Sequence, residues 1–429
     1  MDLSNYFGLI NGTVVGEPPL YVDASLRPGS SEVPKPTVLG WIQKSPFVLV
    51  TSPNFVWAVV ALALDGIFPD DLGAGSAAAV GPLSSRFFAE RFPLWCAVTL
   101  GYASLWHVAL YWFHVATRPF IEARKYSVGK VLHNLAWTTS GVAIWTGFEN
   151  IVCHLWATGR LSYIPDITSF GSVGGFCAFL LALGGVPLWR SLHFYFAHRF
   201  LHMDALYKQV HSLHHRNTDV EPFSGLCMHP VEHLYYFACV GPSLVFYCTP
   251  FAFLWNGVHL LLSPAASHSG YEDHFQSDVF HYMHHRYFEC NYAGTDAAFL
   301  DLWFGTFKGS FDEVDKEADP TPRDDAKSTL WAGYTPEFLT YLGASAACVV
   351  PWVFRVGAEV SGVEAASLAA LAGVGPIGAA AVVSAVWGGR RGVMPTRMST
   401  SGNVLHVVVG VLFCCLPVAL MVWLSLAPI

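Results

Sequence analysis

Seven runs of mainly apolar residues, at 46–64, 92–116, 133–157, 170–190, 337–356, 363–387 and 403–426, dominate this chain. Most are near the roughly 20 residues that cross a bilayer as a helix. In hydrocarbon, every backbone N–H and C=O must be bonded within its own segment, so runs of this kind are confined to helices. The expected fold class is therefore all-α, a polytopic helical membrane protein. Charge supports the same reading: only 13% of the 429 residues are Asp, Glu, Lys or Arg, against about 25% in a soluble domain. Two of the runs are interrupted, 46–64 by Pro53 and Asn54 and 133–157 by His133, Glu149 and His154.

Loop charge sets the expected orientation. The 117–132 loop carries Arg118, Arg124, Lys125 and Lys130 against Glu122, and the 388–402 loop carries Arg390, Arg391 and Arg397 with no acid. Both are expected in the cytosol, and the 65–91 loop, with Asp65, Asp70 and Asp71, on the far side. Counting crossings then puts residues 1–45, with no signal-peptide core, and residues 191–336 in the cytosol, and leaves the Asn11 sequon unused. The expected division is a 1–45 N-terminal segment, spans within 46–190, a 191–311 region, a charged linker at 312–336 and a C-terminal transmembrane extension at 337–429. Within the third unit, 234–262 is apolar but broken by Pro242 and Pro250, and reads as a shallow membrane hairpin with both flanks on one side. A net charge of −8 gives no basic face for nucleic acid. The ten cysteines include no C-x-x-C pair and read as small hydrophobes in a reducing setting.

The histidines carry the chemistry. Fourteen of the 19 lie between residues 193 and 285. His198-Arg-Phe-Leu-His202 is H-x3-H; His211-Ser-Leu-His214-His215 and His281-Tyr-Met-His284-His285 are each H-x2-H-H. Residues three and four apart share a helix face, so each box gathers imidazoles at one place. Neutral imidazole suits Fe, Zn, Cu or Ni, and eight imidazoles are twice what one tetrahedral zinc takes. A two-metal site follows, in a histidine-lined cytosolic cap on the spans. Rival patterns are weaker. The chain has no H-E-x-x-H and no E-x-x-H. His229-Pro-Val-Glu232-His233 matches H-x-x-E-H but has Pro230 inside it, and Gly373-Val-Gly375-Pro-Ile-Gly378 matches G-x-G-x-x-G inside an apolar run with no preceding strand.

The three boxes, in this order and with these gaps, resemble the fatty acid hydroxylase/sterol desaturase superfamily of membrane di-iron oxygenases. Further motifs join the match: Tyr195-Phe-Ala-His198-Arg199-Phe-Leu-His202, His229-Pro230-Val-Glu232, Asn291-Tyr292 and Asp301-Leu-Trp-Phe304-Gly305-Thr306-Phe307. His268-Ser-Gly-Tyr271 resembles the H-S-G-Y of C4-methylsterol oxidases, where C5-sterol desaturases have a related H-D-G. The chain departs from the family at Ser191, where an acid often precedes box one, and at Leu300, where the family has Trp.

The resemblance covers roughly 172–311. It implies nine metal ligands: His198, His202, His211, His214, His215, His268, His281, His284 and His285. His229 and His274 are second-tier candidates, with His229 read as a residue that orients a neighbour, and His193 ranks below them. His107, His114, His133 and His154 are read as helix-packing residues. The implied cofactors are two non-haem iron ions, with O2 as cosubstrate and electrons from an external donor. The implied partners are cytochrome b5 and NADH-cytochrome b5 reductase, with Arg199, Lys208, Arg216 and Arg286 as docking candidates, and the implied location is the endoplasmic reticulum with the site facing the cytosol. The implied reaction is oxidation of a membrane sterol, by 4-methyl hydroxylation or ring desaturation. Fatty-acyl or sphingolipid hydroxylation is the alternative, and a histidine-bearing metal transporter is the reading from another class.

Overall fold

The computed structural model describes residues 53–67, 84–116, 118–121, 128–161, 171–203, 206–241, 249–272, 277–294, 298–311 and 406–426. The expected N-terminal segment with Asn11, the 312–336 linker, the spans at 337–356 and 363–387, and the basic 388–402 loop lie outside the described residues. Among those described, the secondary structure is helical, with one isolated β-bridge between Pro119 and Tyr271. The helices are α1 (Pro53–Ile67), α2 (Ser85–His107), α3 (Val128–Ala157), α4 (Val173–Leu201), α5 (Ser212–His215), α6 (Pro230–Phe237), α7 (Pro250–Ser267), α8 (Ser277–Tyr287) and α9 (Ala298–Trp303). A C-terminal helix follows at His406–Ser425, π-helical over Val411–Cys415 and ending in α10 (Leu416–Leu426).

Among the described residues, three helices are long and apolar enough to cross a membrane: Ser85–Trp112, Gly175–Leu201 and His406–Ser425. At 1.5 Å per residue they measure about 42, 40 and 30 Å. Each shows large apolar side chains on its outer surface, such as Leu105, Leu180 and Leu412, as a lipid-facing helix does. Local chemistry sets the starts of two of them. Ser84 caps α2 by accepting from the Phe87 N–H, and Ser172 caps α4 by accepting from Gly175.

The structure alters three expected segments. Pro53 does not break the first run but opens α1 at the first helical position, where its missing N–H costs nothing; the resulting 15-residue helix is too short to span alone and packs along α7. The 133–157 run becomes the 30-residue α3, long enough to cross but lacking an unbroken apolar stretch like those of the other three. Its polar groups face protein: Glu149 accepts from Trp95 Nε1 at 2.6 Å and lies 3.8 Å from Arg91, while Asn150 accepts from the Ser84 N–H at 2.8 Å. The expected shallow hairpin is the pair α6 and α7, with 242–248 outside the described residues. Both outer ends return to the histidines, but α7 is sheathed by α1, α2 and α4 and its side chains are almost all buried. At the core, Trp145 of α3 meets Trp95 edge-on and stacks on Phe253, and it lies so close to Gly257 that no side chain fits there.

Candidate metal centre

α4 carries box one at its last turn, with His198 inside the helix and His202 at its C-cap. Box two begins at the end of a π-helical turn, Tyr207–His211, and continues into α5. Box three lies on α8, and His268 caps α7. The nine histidines form two groups. One holds His198, His202, His211, His215 and His284; the other holds His214, His268, His281 and His285, with the ring nitrogens of each group within 4.8 Å of one another. Helix geometry explains the division. Adjacent residues point about 100° apart while i and i+4 share a face, so His211 and His215 go one way and His214 the other. In box three, His281 and His285 go one way and His284 the other.

The outer ring nitrogens are held by acceptors. His198 Nδ1 donates to the Tyr292 carbonyl at 2.6 Å and His284 Nδ1 to the Cys290 carbonyl at 2.7 Å. His211 Nδ1 donates to Glu232 Oε1 at 2.8 Å, His268 Nδ1 to the Pro264 carbonyl at 2.9 Å and His214 Nδ1 to the Cys227 carbonyl at 3.3 Å. A carbonyl only accepts, so these contacts put the proton on Nδ1 and leave Nε2 as a bare lone pair. The Nε2 atoms of the first group converge: separations are 3.1 Å for His202–His284, 3.1 Å for His284–His215 and 3.0 Å for His215–His211. In the second group they are 3.0 Å for His268–His285 and 3.2 Å for His281–His268. Two nitrogens each about 2.1 Å from a metal and at right angles about it lie about 3.0 Å apart. Ring nitrogens clustered at this spacing match the approach of ligands around a cation, and the buried His198 Nε2, its Nδ1 already donating, has no protein partner. The donor set therefore fits two metal ions.

Electrostatics agrees. Burial, reinforced by the neighbouring imidazoles, pushes His202, His211, His215, His281, His284 and His285 well below the usual histidine range. Burial brings His214 down to about 4. These rings are neutral at pH 7, the form that binds metal. Burial also pushes the Glu232 carboxyl well above its usual range. Eight of the nine rings are buried and His202 is partly exposed, which makes it the opening to the first group.

The other histidines have different work. His229 caps α6 through Nδ1, accepting from the Val231 N–H, and stacks on Trp137. His193 contacts the Phe413 carbonyl of the C-terminal helix. His274 lies outside the described residues. His107 stacks on Tyr111 and lies 3.5 Å from Glu221, and His133 packs on Trp137. Arg199, expected as a docking residue, is buried with its guanidinium 4.3 Å above the Tyr292 ring; a side chain enclosed in this way presents no charge to a partner. Lys208 and Arg286 are exposed.

Some supporting residues carried no expectation. Ser269 Oγ donates to Asp278 Oδ2 at 2.8 Å, tying the His268 turn to the start of α8. Tyr111 Oη donates to the Ser269 carbonyl at 2.8 Å, and Tyr271 Oη to the Leu110 carbonyl at 3.1 Å. That last acceptor lies in the π-helical stretch Val108–Trp112 at the end of α2. Arg118 pairs with Glu272 at 2.8 Å, so part of the charge in the basic 117–132 loop braces this region. The only sequence signal for Ser269 and Tyr271 was the H-S-G-Y string, which pointed to His268 alone.

Residues 184–306 match the family described as fatty acid hydroxylase. Among curated relatives, a Delta(7)-sterol 5(6)-desaturase of Gibberella zeae is 26% identical over 142 residues, which cover 30% of this chain and 42% of the relative. Methylsterol monooxygenase 2-2 of Arabidopsis thaliana is 34% identical over 132 residues, 27% of this chain and 48% of the relative. A very-long-chain aldehyde decarbonylase of Oryza sativa is 36% identical over 133 residues, again 27% and 48%. The chain spans about half the length of these relatives or less. No solved structure matches. The match of 184–306 encloses all nine grouped histidines, and it is through this region that the chain is similar to the fatty acid hydroxylase/sterol desaturase superfamily.

Proposed function

We propose that this protein is an O2-dependent oxidase of a membrane sterol, acting by 4-methyl hydroxylation or ring desaturation, with two non-haem iron ions held by the nine grouped histidines. The observation that carries the reading is the convergence of ring Nε2 atoms at 3.0–3.2 Å in two adjoining groups. His198, His202, His211, His215 and His284 would hold one ion, and His214, His268, His281 and His285 the other. When bound, the ions supply the redox chemistry that activates O2 toward an unactivated C–H bond.

The protein's share is position and dryness. Buried Glu232 and the Cys227, Pro264, Cys290 and Tyr292 carbonyls hold the Nδ1 protons and so orient five of the rings. Burial of eight rings keeps bulk water from the reacting region. His198 and His202 close the end of a span-length helix whose other end shows Val173, Phe176 and Leu180 outward. A lipid lying along that helix brings its ring end to the histidines without leaving the membrane, and proximity lowers the barrier. The names of the desaturase and monooxygenase relatives support the sterol class.

Electrons come from outside the chain, with cytochrome b5 and its NADH reductase as the expected donors. Exposed Lys208 and Arg286 offer the charge for an acidic partner, on the cytosolic face of the endoplasmic reticulum in this reading. Reversing both to Glu should slow turnover driven by cytochrome b5 severalfold and reduce its salt dependence; an unchanged rate and salt slope would remove this docking face.

The direct test expresses the wild type and a His284→Ala/His285→Ala pair in a sterol-producing host and compares lipids by mass spectrometry. A sterol with one added oxygen, or two fewer hydrogens, in the wild type alone supports the proposal. Hydroxylated acyl chains instead would replace it with fatty-acyl or sphingolipid hydroxylation, the class in the matched family's own description. No difference in either pool would remove the lipid substrate.

A further inference from the structure

His198 and His284 come from different boxes and belong to the same five-histidine group. Both find their outer acceptors in one short turn, the carbonyls of Tyr292 and Cys290. This turn is not a relaxed one. Phe288 has φ 65 and Asn291 φ 51, both in the left-handed region that non-glycine residues adopt at a cost, and Gly294 has φ 71. Something must hold it. Asp301, fully buried on α9, accepts from the Tyr292 N–H through Oδ1 at 2.9 Å and from the Ala293 N–H through Oδ2 at 2.8 Å. Thr306 Oγ1 donates to Asp301 Oδ1 at 2.7 Å and aims the carboxyl. Asn291 adds a clasp to Lys308, donating through Nδ2 to its carbonyl and accepting from its N–H. In the four-histidine group, His214 and His268 use other acceptors, the Cys227 and Pro264 carbonyls.

The geometry points to Asp301 as a positioning residue for one metal position only. By gripping the amides on either side of the Tyr292 carbonyl, it fixes the strained turn whose carbonyls set the Nδ1–H tautomer and ring angle of His198 and His284. Both Nε2 lone pairs are thereby aimed at the five-histidine position. Tyr292 joins the two roles, since its ring also packs on His202 and His284 and lies under Arg199. This inference rests on the reading of the groups as metal sites, and it adds that the two sites have separate supports.

The experiment uses the full-length chain in detergent, loaded with ferrous iron, with extraction by ferrozine followed in time. His284→Ala and His285→Ala, each lacking a ligand of one group, assign the release phases to the two positions. Asp301→Asn keeps an acceptor for one amide but turns an NH2 toward another donor. Release from the five-histidine position should accelerate about 10–100-fold, as loss of an orienting partner does elsewhere, while the four-histidine phase stays within about twofold. Thr306→Val leaves Asp301 in place and should give a smaller change in the same phase, which Thr306→Ser reverses. This milder pair decides the matter if Asp301→Asn does not fold. Equal acceleration of both phases, or no change in either, would overturn the role of Asp301 while leaving the metal reading intact. A wild type that retains no iron would overturn both.

Discussion

The two histidine groups adjoin one another but are supported from different parts of the molecule. The five-histidine group is oriented from within the matched region: by Glu232 through His211, and by the Asp301-held turn through His198 and His284. The four-histidine group also takes ring acceptors from the matched region, at Cys227 and Pro264, but adds a brace from before it. Its His268 turn is tied to α8 by Ser269 and Asp278, and anchored to the end of α2 through Tyr111 and through Tyr271, whose acceptor is the Leu110 carbonyl. α2 precedes residue 184, where the family match starts. The difference teaches that the matched region does not complete the site alone. A span-length helix outside it anchors the turn that carries His268.

The sharpest way to break this comparison uses neighbours. His284 and His285 are adjacent in sequence and face different groups, so each single alanine substitution should remove one metal and leave the other. Iron content should fall from about two ions per chain to about one in either variant, with turnover lost in both. Identical release behaviour of the two variants would mean that the groups are not separate sites.

Acid treats the groups alike. Folded-state values lie below that of free histidine, so the unfolded chain takes up protons that the folded chain refuses as pH falls from about 6.5 toward 4. The contribution of these rings to the stability of the metal-free chain should therefore be constant above pH 7 and fall through that window, by on the order of 3 kcal/mol for His214 alone. Denaturant midpoints at pH 7.5, 6 and 5 measure this. A flat profile would mean that the rings are not buried neutral.

Smaller substitutions separate the supports. Glu232→Ala should weaken iron at the five-histidine position about 10–100-fold, with Glu232→Gln milder because it keeps an acceptor for His211. Tyr271→Phe removes one buried hydrogen bond, about 1 kcal/mol, and should speed release from the four-histidine position about fivefold. Ferrozine extraction reads both. If Tyr271→Phe instead loosens the five-histidine position, α2 supports the whole site and the distinction drawn above fails.

Much of the site was legible because helix geometry is local. Spacings of three and four residues place His198 with His202 and His211 with His215 on shared faces whatever the rest of the chain does. His268 was reached only through the H-S-G-Y resemblance, because its partners lie 13 and 17 residues on, across the turn into α8. Charge misled at Arg199, since a cation reads as exposed and this one lies under protein over the Tyr292 ring. The 133–157 run was read as a span from its apolar content, while its polar residues Glu149 and Asn150 are answered by α2 and Ser84, partners that no local pattern announces. Asp301 stood inside a quoted motif with no role, because its work is done on backbone amides eight and nine residues earlier.

By itself, the sequence determined that the chain is helical, that it belongs in a membrane and that its imidazoles gather in clusters able to hold metal. Those properties follow from apolar run length and from the 3.6-residue repeat, both carried by neighbouring residues. Only the tertiary structure decided which imidazole joins which group, which nitrogen of a ring carries the proton and which helix braces each half. Those depend on where carbonyls and carboxylates from distant segments arrive, and a carbonyl's direction is set by the folded backbone rather than by the side chain it belongs to.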